Sequence, residues 1–286
     1  MDGVRERIGE SFGTLYLVAT PIGNLEDITV RALRILREVP LIAAEDTRQT
    51  RKLLDRYDIH QPLISYFEHN EAARVQLLLE RLRVGDVALV SEAGMPAISD
   101  PGYDLVRAAI DAGVRVVPIP GPSAPIAALA ASGLPTDQFL YLGFLPRRSA
   151  ERRKLLAGVL SEPRTLIAFE SPHRLLDSLH DARSVLGDRP MALARELTKL
   201  HEEFVRGTIG EVLSHFLSTA VRGEITLVIG GATPMPPSVD LEGRLAEISQ
   251  SNLSTRDAVT TLVEETGLPR RQAYQLLLGA RKYAKM

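Results

Sequence analysis

Polar side chains follow three short apolar runs of the sequence, and their chemical types are those that transfer protons or stabilise charge. These candidate groups are Glu45, Asp46, Arg48, His69, Asn70, Glu92 and Asp100. Carboxylates and histidine can act as general bases, and arginine can stabilise a developing negative charge. Helix capping is an alternative role, because Thr47 and Asn70 stand where helices are expected to begin. The sequence therefore predicts a set of candidates and does not single out one base.

Loops rich in glycine, proline and small residues follow three of the apolar runs. They read PIGNLED (21–27), SEAGMPAISDPG (91–102) and IPGPSAP (119–125). Small side chains let backbone amide and carbonyl groups approach a ligand closely. In a parallel α/β sheet, ligands bind beyond the carboxyl ends of the strands, where such loops lie. We therefore expect the three loops to form one ligand site.

Several common kinds of site are excluded because their motifs are missing from the sequence. There is no GxxxxGK[ST] phosphate loop, no GxGxxG dinucleotide motif and no HExxH zinc motif. The segment PGPSAP is not a GxSxG nucleophile elbow. The chain has no cysteine, and its histidines and carboxylates show no metal-ligand spacing, so no metal is predicted.

The composition is that of a globular protein, with 45% hydrophobic and 24% charged residues. The first residues are charged, and no apolar run approaches the roughly 20 residues that span a bilayer, so we expect a cytoplasmic protein without a membrane partner. The net charge is −2. Because nucleic-acid-binding proteins are usually basic, any contact with RNA must depend on local basic patches.

Apolar runs alternate with amphipathic stretches in the first half, which predicts a mainly parallel sheet covered by helices. The strands are expected over 14–20, 41–45, 62–67, 87–92 and 114–120, and another over 139–144. In the second half, strands are expected over 164–170, 190–196, 202–208 and 224–231. The last of these are too close together for full helices between them, which favours a mixed sheet.

We place a domain boundary after the strand over 139–144, which gives an N-terminal domain (13–145) and a second domain (146–231). A proline-rich linker over 231–239 precedes a helical region (240–286) that resembles a helix-turn-helix. Basic residues begin the second domain at Arg147, Arg148, Arg152, Arg153 and Lys154. They form either a solvated helix face or a clamp for phosphates. The C-terminal helices are either plain packing elements or auxiliary RNA-binding elements.

Six segments, in this order, resemble one known family, the small-subunit ribosomal RNA cytidine 2′-O-methyltransferases of the tetrapyrrole methylase superfamily. They are LVATPIGNLEDIT, AAEDTRQTRKLL, SEAGMPAISDPG, PGPSAPIAALAASGLP, FESPHRLLDSL and ARELTKLHEEFVRGT. The resemblance implies a two-domain tetrapyrrole-methylase-like α/β fold, with a parallel N-terminal domain and a mixed-sheet second domain. The small C-terminal helical domain follows these two domains. The resemblance also implies a homodimer and S-adenosylmethionine as methyl donor. The implied acceptor is the ribose 2′-hydroxyl of a cytidine in the decoding region of 16S ribosomal RNA, either free or in the 30S subunit.

The same resemblance implies which residues bind the donor between the two domains. They are Pro21, Ile22, Gly94, Met95, Ala97, Ser123, Ala124, Phe169, Glu170, Glu196, Leu197 and Thr226. Glu92-Ala93-Gly94-Met95 departs from the Gly-Asp-Pro pattern of the superfamily, so an acidic contact is not carried over there. Ser123 directly precedes a helix and is expected to be an N-cap, a donor contact, or both.

Two other functions remain open at this stage. One is a methyltransferase that acts on a tetrapyrrole-like small molecule, although such an enzyme would need neither the basic cluster nor the C-terminal helices. The other is a non-enzymatic nucleic-acid-binding protein with a ligand-sensing α/β part. Transfer of a labelled methyl group from S-adenosylmethionine into RNA would separate both from an RNA methyltransferase.

Overall fold

The computed structural model describes residues 12–67, 71–218, 221–233, 241–251, 253–266, 268 and 270–283. A first sheet contains five strands in the order β3-β2-β4-β1-β5, and every neighbouring pair is parallel. The strands are β1 (Thr14–Val18), β2 (Leu41–Ala44), β3 (Leu63–Ser65), β4 (Val87–Val90) and β5 (Arg115–Ile119). Pro118 is tolerated in β5 because this strand lies at the sheet edge.

Helices cover both faces of this sheet, because the strands are apolar on both sides. They are α1 (Val30–Glu38), α2 (Thr47–Arg56), α3 (Glu71–Leu82) and α4 (Tyr103–Asp111), whereas the next helix, α5 (Ala124–Ser132), packs on the second sheet described below. Thr29 caps α1 by accepting a hydrogen bond from the Ala32 amide at 3.1 Å. On one face, buried Leu36 and Leu54 of α1 and α2 pack against the sheet, and on the other Leu78 and Leu105 of α3 and α4 do so. The predicted parallel α/β architecture is confirmed.

A second sheet contains five strands in the order β6-β7-β10-β8-β9. They are β6 (Phe139–Phe144), β7 (Thr165–Glu170), β8 (Pro190–Arg195), β9 (Glu203–Thr208) and β10 (Ile225–Ile229). Only β6 and β7 pair in parallel, so the predicted mixed sheet is confirmed. The helices α6 (Ser149–Gly158), α7 (Leu175–Leu186) and α8 (Ile209–Leu217) pack on it.

The strand β6 pairs with β7 in the second sheet, whereas its place in the sequence groups residues 139–144 with the first half. Both sheets belong to one compact unit, formed by residues 1–160 and 164–231. The domain boundaries themselves stay a prediction, and most of the expected linker over 231–239 lies outside the described residues.

A separate compact unit comprises residues 161–163 and 232–286. It contains α9 (Leu241–Gln250), α10 (Thr255–Thr266) and α11 (Arg270–Tyr283), so its last two helices coincide with the expected helix pair. Its core includes Ile248, Leu262 and Leu277, which are buried. None of the helices in the described ranges is long and apolar enough to cross a membrane.

Arg152 corrects one expectation for the basic segment. Its side chain is only 3% exposed and pairs with Asp181 of α7 at 2.6 Å, so it does not belong to a solvated or phosphate-binding surface. Arg147, Arg148 and Lys154 are exposed as expected. The physical reason is that a buried carboxylate on the neighbouring helix compensates the guanidinium charge, which the charge run alone does not reveal.

Candidate active site

The exits of β1, β4 and β5 meet at one place. Thr20 and Gly94 exchange two backbone hydrogen bonds, of 2.9 and 3.0 Å, which join the loop after β1 to the loop after β4. The carbonyl oxygen of Pro122, in the loop after β5, lies 3.7 Å from the position of a β-carbon at Gly94. Gly94 has φ +81°, a conformation that favours glycine. The three loops therefore converge on one place, as predicted from the sequence.

A cavity of about 380 Å³ opens where these loops face the second sheet. Of the twelve residues expected to bind the donor, eight line this cavity: Ile22, Gly94, Met95, Ser123, Ala124, Phe169, Glu170 and Thr226. Ser123 occupies the N-cap position of α5, but its side chain makes no capping hydrogen bond, so its hydroxyl is available to a ligand. The volume falls in the range of small-molecule sites.

The other four expected residues do not line the cavity and instead support its walls. Leu197 is buried in an apolar cluster with Ile22, and Pro21 is buried beside it in the chain. The carboxylate of Glu196 accepts a hydrogen bond from the Lys199 ammonium group at 2.9 Å, which is the main reason that the pKa of Glu196 is lowered. Ala97 adopts φ +68° within the loop after β4.

Three of the catalytic candidates in the loops after β2 and β4 line the cavity, namely Glu45, Glu92 and Asp100. Asp46 is instead the N-cap of α2, where its carboxylate accepts hydrogen bonds from the Arg48 and Gln49 amides at 2.7 and 3.2 Å. These bonds lower the pKa of Asp46. Arg48 is an exposed residue of α2. His69 and Asn70 lie outside the described residues.

Five carboxylates border the cavity, and they divide into two groups. Glu170 is paired with Arg174 at 2.6 Å and also accepts hydrogen bonds from the Ser171 amide and the Ser178 hydroxyl. Glu224 is paired with Lys199 at 3.0 Å. Within the described part of the chain, no salt bridge involves the other three, Glu45, Glu92 and Asp100. The uncompensated negative charge of the cavity is therefore concentrated at the exits of β2 and β4.

This concentration of charge is visible in the pKa values. Burial, followed by the negative charge of Glu45, raises the pKa of Asp100 to about 7, although a hydrogen bond with Ser91 opposes the shift. Burial also raises the pKa of Glu92, and the charges of Glu45 and Asp46 add to it. The charge of Lys199 opposes the shift of Glu92 but does not cancel it. Neighbouring carboxylates resist ionising together. Such perturbed groups in a cleft are typical of functional sites.

Aromatic residues of β6, which no sequence motif indicates, form part of the cavity wall. Tyr141 and Phe144 line the cavity and contact the ring of Phe169, with centroids 5.6 and 5.2 Å apart. The hydroxyl groups of Tyr141 and Ser99 are hydrogen-bonded at 2.7 Å, which joins β6 to the loop after β4. No motif marks these aromatics, because their role depends on β6 pairing in the second sheet.

The described lining offers a phosphate no cationic partner. Among the described residues that border the cavity there is no lysine, arginine or histidine. Across the described ranges, no cluster of three histidine, cysteine or acidic side chains is arranged to hold a metal ion. The arrangement suits a ligand that carries positive charge and an apolar ring system.

The chain matches a family profile and several named relatives. The family profile of the tetrapyrrole (corrin/porphyrin) methylases matches residues 14–213. A ribosomal RNA small subunit methyltransferase I of Synechocystis is 50% identical over 93% of this chain and 98% of its own length. A protein of the same name from Thermotoga maritima is 52% identical over 77% of this chain and 99% of its own length.

A solved structure supports the fold. A uroporphyrin-III C-methyltransferase from Thermus thermophilus, crystallised with S-adenosyl homocysteine, matches with a TM-score of 0.53 and 22% identity. The match covers 76% of this chain and 97% of that structure. It agrees with the arrangement of a parallel and a mixed sheet described above.

Proposed function

Since this chain belongs to the ribosomal RNA small subunit methyltransferase I family, within the tetrapyrrole (corrin/porphyrin) methylases, we propose that it methylates ribosomal RNA. The donor is S-adenosylmethionine, and the acceptor is the ribose 2′-hydroxyl of a cytidine in the decoding region of 16S ribosomal RNA. The observation that supports this most directly is a cavity with three uncompensated carboxylates, formed by the three loops that the family motifs occupy.

The lining residues fit such a donor. When bound, the donor supplies a methyl group on a positively charged sulfur atom. Carboxylates stabilise a cation, and small residues such as Gly94 and Ala124 let backbone groups approach it. Phe169 and Met95 offer apolar surface for an adenine ring. The contribution of the protein is then placement of the two reactants, which suits a reaction whose reactivity belongs to the donor.

Basic groups outside the cavity support an RNA acceptor. Arg147, Arg148 and Lys154 are exposed shortly after β6, which contributes Tyr141 and Phe144 to the cavity wall. Negative charge inside the cavity and positive charge beyond β6 suit a cationic donor and an anionic polymer, respectively.

The C-terminal unit has a second basic surface of its own. A groove between α10 and α11 is lined by Arg256, Arg270, Arg271 and Tyr274. Arginine and an aromatic ring are the groups that contact RNA phosphates and unstacked bases. This unit is therefore proposed as an auxiliary RNA-binding element rather than part of the reaction.

The finer details rest on the resemblance of the six sequence segments. They include the cytidine, its 2′-hydroxyl, the homodimer, and the choice between free 16S RNA and the 30S subunit. A ribosomal RNA acceptor also implies the compartment in which ribosomal subunits form, the cytoplasm.

The test is transfer of a labelled methyl group from S-adenosylmethionine to purified 30S subunits or their RNA, followed by mapping of the modified nucleotide. We expect label at one cytidine, in a ribose-methylated nucleoside after complete nuclease digestion. Label in an added porphyrinoid, with none in RNA, would support a small-molecule methyltransferase instead. Binding of RNA without any turnover would support a non-enzymatic binding protein.

A further inference from the structure

The loop after β4 is held in an uncommon conformation around one carboxylate. Ala97 and Ser99 adopt positive φ angles of 68° and 62°, and Gly102 adopts 138°. Residues other than glycine avoid this region, so the surrounding structure must enforce it. Asp100 stands between these positions and lines the cavity.

Three contacts enforce this conformation. The Gly102 amide donates a hydrogen bond to the Glu71 carboxylate at 2.7 Å, at the start of α3. The Ala97 amide donates one to the Pro101 carbonyl at 3.3 Å, which closes the loop on itself. The Ser99 and Tyr141 hydroxyl groups bond at 2.7 Å, which attaches the loop to β6. Strain that is fixed at both ends and presents one ionisable group to a cavity is typical of a functional position.

Given the methyl transfer proposed above, on which this inference rests, we infer that Asp100 is the general base that accepts the proton of the acceptor hydroxyl. The O–H bond of the ribose breaks and its proton passes to the Asp100 carboxylate. The ribose oxygen forms a bond to the methyl carbon as the carbon–sulfur bond breaks, and that electron pair remains on sulfur. The Asp100 proton is then released to water.

The alternatives in the cavity are less suited to this role. The carboxylate of Glu45 accepts a hydrogen bond from the Glu92 amide at 3.1 Å, and Glu92 is more exposed to solvent than Asp100. Glu170 and Glu224 are paired with Arg174 and Lys199. A base is most effective when its pKa lies near the working pH. Burial beside Glu45 raises the pKa of Asp100 to about 7, where an ionised carboxylate still has appreciable proton affinity.

Titratable and polar groups face the cavity from each element around Asp100. These are Glu45 after β2, Ser91 and Glu92 after β4, Tyr141 of β6, Glu170 of β7 and Glu224 before β10. Both Glu45 and Glu92 raise the pKa of Asp100, so removal of either charge should move it back toward the ordinary value.

The experiment compares wild type, Asp100→Asn, Asp100→Glu and the control Asp111→Asn, an exposed position on α4 with the same charge change. Donor affinity is measured by calorimetry with S-adenosylmethionine, and the rate of methyl transfer to RNA is measured between pH 5 and 9. The titration of the aspartates in the protein without donor is followed by NMR of chains labelled with ¹³C at the aspartate carboxyl carbon.

We expect one carboxyl signal to titrate near neutral pH and to be absent only from the variants of Asp100. Asp100→Asn should bind the donor within about threefold of wild type, yet its kcat should fall about a hundredfold or more, as loss of a general base does. The decline of wild-type activity at acid pH should vanish in Asp100→Asn and return, at a lower rate, in Asp100→Glu. Asp111→Asn should match wild type.

Two results would overturn the inference while the proposed function stands. One is an Asp100→Asn enzyme with the wild-type rate and pH profile, and the other is a loss of activity that follows entirely from weaker donor binding. A wild-type protein that transfers no label to RNA would instead refute the proposed function, and the role of Asp100 with it.

Discussion

Replacement of Asp181 by alanine is expected to destabilise the unit that contains both sheets, because it leaves a buried cation without a partner. Arg152 is 3% exposed, and Asp181 is 11% exposed. Arg152 donates to Asp181 through Nε at 2.8 Å and Nη2 at 2.6 Å, and the Ser149 hydroxyl donates to the same carboxylate at 2.8 Å. Removal of one partner from such a pair costs about 3–5 kcal/mol.

The matched control is Arg153→Ala. Arg153 contacts the same carboxylate at 3.4 Å but is 47% exposed, so its contribution is screened by water. Its loss should cost no more than about 1 kcal/mol. For a unit of this size, the Asp181→Ala penalty corresponds to a decrease in Tm of roughly 6–20 °C. Urea unfolding followed by circular dichroism gives the two free energies of unfolding directly.

The Asp181 carboxylate should also make the free energy of unfolding depend on pH. Burial alone would raise the pKa of Asp181, but the hydrogen bonds of Ser149 and Arg152 and the charge of Arg152 outweigh burial and hold it below the ordinary value of 3.8. Its contribution is therefore fully present above that value and is lost as the pH falls through the lower pKa of the folded state. In Asp181→Ala this acid-dependent loss should be absent.

A double variant tests whether the unpaired buried charge causes the loss of stability. With Arg152→Met and Asp181→Leu together, neither charge is buried, so most of the stability lost in Asp181→Ala should return. Equal and small losses for Asp181→Ala and Arg153→Ala would show that the buried guanidinium does not depend on this carboxylate.

Two further predictions concern the cavity and its surroundings. In Gly23→Ala the new β-carbon would lie 2.8 Å from the Leu197 carbonyl oxygen and 2.6 Å from Lys199 Cγ. We therefore expect the free energy of unfolding, measured with urea, to fall by about 1–3 kcal/mol. The control Gly158→Ala, where the space is open, should leave the free energy of unfolding unchanged. Equal stabilities would show that the loop over 197–199 yields freely. Charge reversal at Arg147 and Arg148 should weaken RNA binding and reduce the slope of log Kobs against log salt by about 1–2. Charge reversal at the exposed Arg107 on α4 should leave the salt slope unchanged. If the Arg147/Arg148 variant and the Arg107 variant have identical slopes, Arg147 and Arg148 do not contact RNA.

The positions of the strands along the chain could be predicted from the sequence because the pattern that defines them is local. Runs such as VALV in β4 are apolar on both faces, which only a strand covered on both sides requires. The partner of β6 could not be predicted, because the pairing of a strand is decided by contacts with β7, more than twenty residues later. The aromatic wall of Tyr141 and Phe144 was missed for the same reason.

The candidate site shows the same limit at the level of single residues. Gly/Pro-rich loops at strand ends indicate where a ligand binds, and eight of the twelve expected contacts do border one cavity. Positive φ angles at Ala97, Ser99, Glu196 and Thr198 leave no trace in the sequence, because none of these residue types prefers that conformation. The burial of Arg152 is equally hidden, since its partner stands 29 positions away.

The charges around the cavity also bear on how the reaction proceeds. A positively charged donor is attracted by Glu45 and Glu92, which take part in no salt bridge among the described residues. With Asp100 as proton acceptor, methyl transfer converts a sulfonium and a carboxylate into a neutral thioether and a carboxylic acid. Opposite charges in a partly buried site are costly to desolvate, so their joint neutralisation favours the product state. The neutral product then loses the attraction that held the donor, while the methylated RNA still faces the remaining carboxylates. The uncompensated charge therefore favours donor entry and product release without any change of fold.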